Sequence, residues 1–362
     1  MTRVGGGGAV WQDGRVGYDA FLLLSFGGPE RPADVTPFLQ NVTRGRGVPP
    51  ERLAEVAEHY HRFGGVSPIN AQCRALLAAL REELAAHGPA LPLYWGNRNW
   101  HPMLAQTLAT MRDDGIGRAV AFVTSAYGSY SSCRQYLEDL AAARAAVGPR
   151  APAVDKLRHY HDHPGFIAAH ADAVRHARAS LPTLPPEQVR LVFTAHSIPE
   201  SMARTAGPEG GRYEAQLRET ATLVAGAAAP DLAWDLVWQS RSGPPQVPWL
   251  QPDINDHLAA LAEAGVQAVL VSPIGFASDH LEVVWDLDTE AADTAKRLGL
   301  EYARAATPGV HPEFVAMVRD LVQERIAVQQ PGATRSRARL GSVPVWDVCA
   351  DHCCPAPRRV RS

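Results

Sequence analysis

What this chain lacks narrows its class before any motif is read. Its 362 residues include only five cysteines. That is too few to staple a chain of this length, and a reducing compartment would keep them as thiols. No apolar run is long enough to span a bilayer. An excess of either charge is missing too: 35 Lys and Arg against 38 Asp and Glu leave a formal net charge of -3. No basic stripe offers itself to a nucleic-acid backbone. Residues 1–17 are glycine-rich and have no apolar centre of the kind a signal peptide needs. They read as a disordered leader on a cytosolic protein. What the length does allow is two domains with a large core.

The remaining sequence alternates short apolar runs with Ala- and Leu-rich stretches. The runs at 20–26, 119–124, 189–194, 232–238 and 268–272 show no clean polar alternation. Strands buried on both faces of a parallel sheet read this way. Between them lie helical patterns such as 71–87, 102–114, 136–147, 166–180 and 213–228, with a last one at 312–328. The β-α-β rhythm predicts an α/β fold of doubly wound, parallel-sheet type. Residues 182–186 are proline-rich and fit a linker. The division is then a leader, an N-terminal domain at 18–181, a C-terminal domain at 182–328, and a tail at 329–362. The tail carries six arginines and three of the five cysteines.

Two stretches carry ionisable groups at predicted strand ends, where open α/β sheets bind ligands. The run 189–194 leads to His196, and Pro199 then forces a break. The run 268–272 leads to Asp279, Glu282, Asp286 and Glu290, spaced by three, four and four. On a helix that spacing puts four carboxylates on one face. A solvated acidic face is one reading. A face that handles a divalent cation through hard oxygen ligands is the other. For His196 the corresponding alternatives are a hydrogen-bonded structural histidine and a base or metal ligand.

Five motifs in order settle what the chain resembles: Leu22-Leu23-Leu24-Ser25-Phe26-Gly27-Gly28-Pro29-Glu30, Gly64-Gly65-Val66-Ser67-Pro68-Ile69-Asn70, Thr194-Ala195-His196-Ser197-Ile198-Pro199, Val237-Trp238-Gln239-Ser240-Arg241 and Ser278-Asp279-His280-Leu281-Glu282. With them the chain resembles the ferrochelatases, which insert ferrous iron into a porphyrin, from Tyr18 to Ile326. The resemblance implies two similar Rossmann-like domains with a porphyrin cleft between them. It implies that His196 and Glu282 are the catalytic, iron-binding pair. Asp279, Asp286 and Glu290 fall where the family has an acidic track, set on a distorted helix, for metal or protons. His280 would orient Glu282. Ser67 and Tyr136 match porphyrin-contacting positions, and Trp249, Arg98 and His101 fall in pocket-lining motifs. Phe26 departs from relatives with a tyrosine there, since phenylalanine has no ligand atom. The chemistry suits these residue types. Two pyrrole N–H protons must leave and the ferrous ion must shed water, and a neutral imidazole beside a carboxylate serves both needs.

The resemblance extends to the cysteines. Some ferrochelatases, notably actinobacterial ones, carry a [2Fe–2S] cluster on one body cysteine and three C-terminal ones. Cys133, Cys349, Cys353 and Cys354 supply that inventory here. Structural zinc, or unpaired tail thiols, are the other readings of the same residues. Cys73 reads as a small buried hydrophobe. The actinobacterial look of the composition implies coproporphyrin III as the substrate and coproheme as the product. Protoporphyrin IX, a cobalt chelatase, and an inert haem- or cluster-binding sensor are the alternatives. The partners implied are a porphyrin, ferrous iron and neighbouring haem-pathway enzymes, with no nucleic acid.

Overall fold

The apolar runs become strands covered on both sides. The computed structural model describes residues 17–45, 47–243, 246–330 and 336–356. The expected leader lies outside the described residues, Gly17 apart. The first four strands are β1 (Ala20–Ser25), β2 (Leu93–Asn97), β3 (Arg118–Val123) and β4 (Ala153–Lys156). They form one sheet in the order β2-β1-β3-β4. The next four are β5 (Val189–His196), β6 (Ala233–Gln239), β7 (Ala268–Ser272) and β8 (Glu301–Arg304). They form a second sheet in the order β6-β5-β7-β8. Every pairing is parallel, and the second order repeats the first strand for strand. The two halves therefore share one Rossmann-like topology, and within each sheet the described strands present their carboxyl ends along one edge, where open α/β sheets bind ligands.

Alternation along each central strand sorts side chains into layers. Phe21, Leu23, Val120 and Phe122 of the first sheet join Leu191, Phe193 and Leu270 of the second in one continuous core. The helices Ile69–His87, Pro164–Arg178, Arg212–Ala228 and Pro312–Ala327 fill the space between. The alternate residues face outward. Ala20, Leu22 and Leu24 pack under Leu104, Leu108 and Met111. Val192, Val269 and Val271 pack under Ile254, Leu258, Val283 and Leu287. Phe193 is completely buried, so its loss to alanine would cost about 3–5 kcal/mol. The last helix, Pro312–Ala327, returns across the molecule to pack on Pro164–Arg178 and Ile69–His87.

Two departures from this regular plan position the site. A pair of helices, Val35–Val42 and Pro50–Arg62, is inserted after β1. Its small core of Val35, Phe38, Leu39, Ala57 and Tyr60 also takes in Leu281 from the other half. The second departure follows β7. A short helix, Leu281–Val283, widens into a π-helix at Val284–Ala291 before regular helix resumes at Ala292–Leu298. This is the helical distortion that the resemblance implied, and π segments concentrate at functional sites. Among the described residues, no helix is long and apolar enough to cross a membrane.

Candidate active site

His196 is the last residue of β5, next to Gln239 at the end of β6. From the neighbouring end of β7 the chain crosses β5 at Gly275. A Cβ there would sit 2.7 Å from the Ala195 Cα, so only glycine permits the crossing. The crossing delivers Glu282 opposite the histidine: Nε2 of His196 lies 3.9 Å from a Glu282 carboxylate oxygen. Both side chains are accessible, 32% for His196 and 44% for Glu282, which leaves them able to meet a ligand. On the other side of the ring, Nδ1 lies 2.5 Å from the Ser197 carbonyl oxygen. A carbonyl can only accept, so the neutral ring carries its proton on Nδ1 and keeps the Nε2 lone pair free toward Glu282. The Tyr213 hydroxyl donates to the His196 carbonyl at 2.9 Å. His280 Nδ1 also lies 3.9 Å from the Glu282 carboxylate. Burial holds the His280 pKa below its ordinary value, and Glu282 opposes that shift.

Glu282, Asp286 and Glu290 line one open cleft of about 210 Å³. Arg52, His59 and Tyr60 of the inserted helices form its other wall. Asp286 is the perturbed member. Burial raises its carboxyl pKa from 3.8 to about 7, against hydrogen bonds from Ser240 and Gln239 and with help from the charges of Glu282 and Glu290. Gln239 Nε2 donates to it at 3.2 Å, and the Ser240 hydroxyl donates to the same oxygen. Ser240 holds a backbone φ of +60°, a strained position of the kind that clusters at functional sites. His59 stacks on Trp285 at 3.9 Å between ring centres, and burial lowers its pKa. Gln239, Ser240, His59 and Tyr60 were not assigned from sequence. The first two sit in a quoted motif at a strand end, which was the available signal.

Asp279 departs from the expected four-carboxylate face. It precedes the helix, whose cap is His280, so helical spacing does not reach it. Its carboxylate accepts from Arg304 at 2.8 Å, and Arg304 also pairs with Asp288. Two anions, Asp279 and Asp288, thus share one cation there.

Ser67 and Tyr136 are buried, at 3% and 4% exposure. The Ser67 hydroxyl accepts from the Leu281 N–H at 3.3 Å, which fastens the residue before Glu282 to the first half. Tyr136 lies 4.4 Å beneath the Arg98 guanidinium, which pairs with Asp139. Phe26 lies 5.9 Å from the same guanidinium. The Trp249 indole N–H is buried without a hydrogen-bond partner among the described residues. His101 is exposed and lines a separate hollow with Asn41, Arg44 and Trp100.

The tail brings its cysteines to the body. Cys133 sits in the π-turn Tyr130–Arg134, capped by Ser129, and its sulfur lies 3.9 Å from that of Cys349. The Cys353 and Cys354 sulfurs lie 3.6 Å apart, with Cys354 at a φ of +53°. That backbone lets adjacent side chains turn toward each other. Gly207 N–H donates to the Cys354 sulfur at 3.1 Å. Burial, then the neighbouring Cys354, push the Cys353 thiol up to about 12. Cys73 is buried apart from these, in the core.

Comparisons with known proteins bear on the family and the fold. The ferrochelatase family model matches residues 18–326. The chain is 55% identical to a coproporphyrin III ferrochelatase of Nocardia farcinica over 350 residues, covering 94% of this chain and 97% of that one. It is 54% identical to a coproporphyrin III ferrochelatase of Streptomyces griseus over 352 residues, 94% of each chain. Among solved structures it is similar to SirB from Bacillus subtilis with Fe3+, with a TM-score of 0.50 at 12% identity, covering 88% of this chain and 99% of SirB. At that identity the likeness concerns the fold.

Proposed function

The chain belongs to the ferrochelatase family, and on that premise we propose that it inserts ferrous iron into coproporphyrin III to give coproheme. The observation that carries the reading is the free Nε2 of His196 facing the Glu282 carboxylate at 3.9 Å. A cation about 2.1 Å from each atom fits between them. The reaction exchanges two pyrrole protons for one ferrous ion. Glu282 supplies the negative charge that draws the ion from water, and as the ion passes to the ring nitrogens one pyrrole proton goes to the vacated Nε2 of His196 and the other to the Glu282 carboxylate. Asp286, poised near neutrality, accepts protons from Glu282 and passes them along the cleft past Glu290. His280 steadies Glu282. Asp279 acts on the track only through Arg304. Ser67 and Tyr136 serve the porphyrin by holding Leu281 and Arg98 in place. The halves 18–181 and 182–328 form the walls of the slot.

The cysteine geometry supports a [2Fe–2S] cluster on Cys133, Cys349, Cys353 and Cys354. Two thiolates on one tetrahedral metal, each at about 2.3 Å, stand roughly 3.8 Å apart. The two sulfur pairs, at 3.9 and 3.6 Å, match that spacing twice. The one grouping of three ligand atoms within 4.8 Å of one another among the described residues is elsewhere, at His161, Asp162 and Glu219. A single tetrahedral zinc would need all four sulfurs that close. The cluster, when bound, supplies a one-electron centre and a tie between tail and body. The enzyme then works in the cytoplasm, whose reducing chemistry suits five cysteines outside disulfides.

The test is anaerobic metallation of coproporphyrin III and protoporphyrin IX in parallel, by the wild type and by His196→Ala. We expect turnover of coproporphyrin III and a loss of about two to four orders of magnitude in the variant. Preference for protoporphyrin IX would overturn the substrate. Near-normal turnover by a folded His196→Ala would overturn the site.

A further inference from the structure

We propose that the C-terminal segment 337–347 is a strap that positions His196, acting through Arg212, Tyr213 and, two turns on, Glu219 of the helix Arg212–Ala228. The inference rests on the reading of His196 as the metallation base. Arg212 and Glu219 are seven residues apart and share a face of that helix. The strap holds both. The Glu219 carboxylate accepts from the backbone N–H groups of Ser342 and Val343 at 2.6 and 3.0 Å. Arg212 donates to the Pro344 carbonyl, and its guanidinium lies 4.2 Å from the Trp346 ring. The fit is close: a Cβ on Gly341 would lie 2.2 Å from a Glu219 carboxylate oxygen. The strap has a further anchor off the helix but beside Glu219, where Arg339 bonds Asp162 at 2.6 Å.

The residue after Arg212 is Tyr213, buried at 5% exposure. Its hydroxyl donates to the backbone carbonyl of His196 at 2.9 Å. The helix gripped from outside by the strap, at Arg212 and two turns on at Glu219, is therefore the helix that grips the histidine from inside at Tyr213. Tyr213 touches the backbone rather than the reacting atoms, so it is a positioning residue. A second link runs in parallel, because the Gly207 N–H donates to Cys354 just ahead of this helix. The tail thereby gains a role beyond carrying cysteines. His161, Asp162 and Glu219, which lie close enough for a metal, are read instead as the strap's anchor. Arg339 and the nearby Arg158 already supply their positive charge.

The experiment measures kcat and KM for iron and porphyrin in the full-length protein carrying Tyr213→Phe, Gly341→Val, or both. Misplacing a catalytic group by under 1 Å lowers turnover by about tenfold. We expect that loss in kcat for each single variant, calculated per folded molecule, with both KM values unchanged. The double variant should lose no more than either single one, because both break the same link. Glu219→Gln keeps the side-chain shape and replaces Gly341→Val if that variant does not fold. Wild-type kcat in folded Tyr213→Phe, or losses that multiply in the double variant, would overturn the strap. His196→Ala separates the two readings. If it is inactive while the strap variants turn over normally, only the strap fails. If it is active, the metallation base was wrongly assigned.

Discussion

Replacing Asp286 by asparagine should stabilise this protein at neutral pH, and the gain should grow with pH. In the folded state the Asp286 carboxyl titrates near 7 instead of 3.8, because burial penalises its charge. The raised value means that the folded state binds a proton more tightly than the unfolded chain does. Below about pH 4 both states are protonated and the group is neutral to stability. Between about pH 4 and 7 only the unfolded chain ionises, so folding loses about 1.4 kcal/mol per pH unit. Above about pH 7 both are ionised and the full penalty of about 4 kcal/mol persists. Asparagine keeps the shape and can still bond Ser240, but it has no charge to bury. Urea midpoints of wild type and Asp286→Asn, measured from pH 5 to pH 8, isolate the effect. The variant's advantage should increase by at most about 3 kcal/mol over that interval. A difference that stays flat would show that Asp286 ionises like an exposed aspartate, and would remove it from the proton path. The same substitution should slow metallation, since a site residue that destabilises the fold is retained for its chemistry.

Glu282→Gln should lower kcat at least about tenfold more than Glu290→Gln, because a positioned acid–base group contributes about two to four orders of magnitude and Glu290 lies two turns further along the cleft; steady-state rates over a range of ferrous concentrations decide, and equal effects would assign the function to the track as a whole. The purified protein should be reddish-brown, with iron and acid-labile sulfide in equal amounts; replacing any of Cys133, Cys349, Cys353 or Cys354 by serine should remove the colour and Cys73→Ser should not, whereas zinc in place of iron would refute the cluster.

The strands that the sequence made visible are the ones buried on both faces. β1, β3, β5 and β7 are the two central strands of each sheet, and each is almost wholly buried. Their uninterrupted apolar runs follow from that position. The edge strands β2, β4 and β8 gave no signal. Ala153–Lys156 and Glu301–Arg304 are four residues long, partly exposed and half polar. Leu93–Asn97 is buried only at its last two residues. β6 was visible although it is an edge, because its second half, Val237 to Gln239, is buried. The helices 71–87 and 213–228 were placed within two residues of their observed starts. The inserted pair Val35–Val42 and Pro50–Arg62 was missed. Its small core depends on Leu281, over two hundred residues away, and no local pattern announces such a partner.

The site divides along the same line between local and distant causes. Strand-end position is local, so His196 and the carboxylates after β7 could be picked out from spacing alone. Which carboxylates share a face depends on what packs around them. Asp279 satisfies the spacing but falls before the helix and turns to Arg304. Asp286 satisfies it and turns inward, where Gln239, Ser240 and the inserted helices bury it. Identical side chains seven residues apart thus acquire opposite duties. One is neutralised by an arginine and shapes the fold. The other accepts from the neutral Ser240 and Gln239, and burial raises its proton affinity to the range where a metal-for-proton exchange operates. The difference arises where the two halves meet: helices from the first half and strand ends from the second enclose Asp286 together. Ser67 bonding Leu281 fixes the register of that meeting. A chain that must release two protons while admitting a doubly charged ion needs both kinds of carboxylate, and only the assembled cleft can tell them apart.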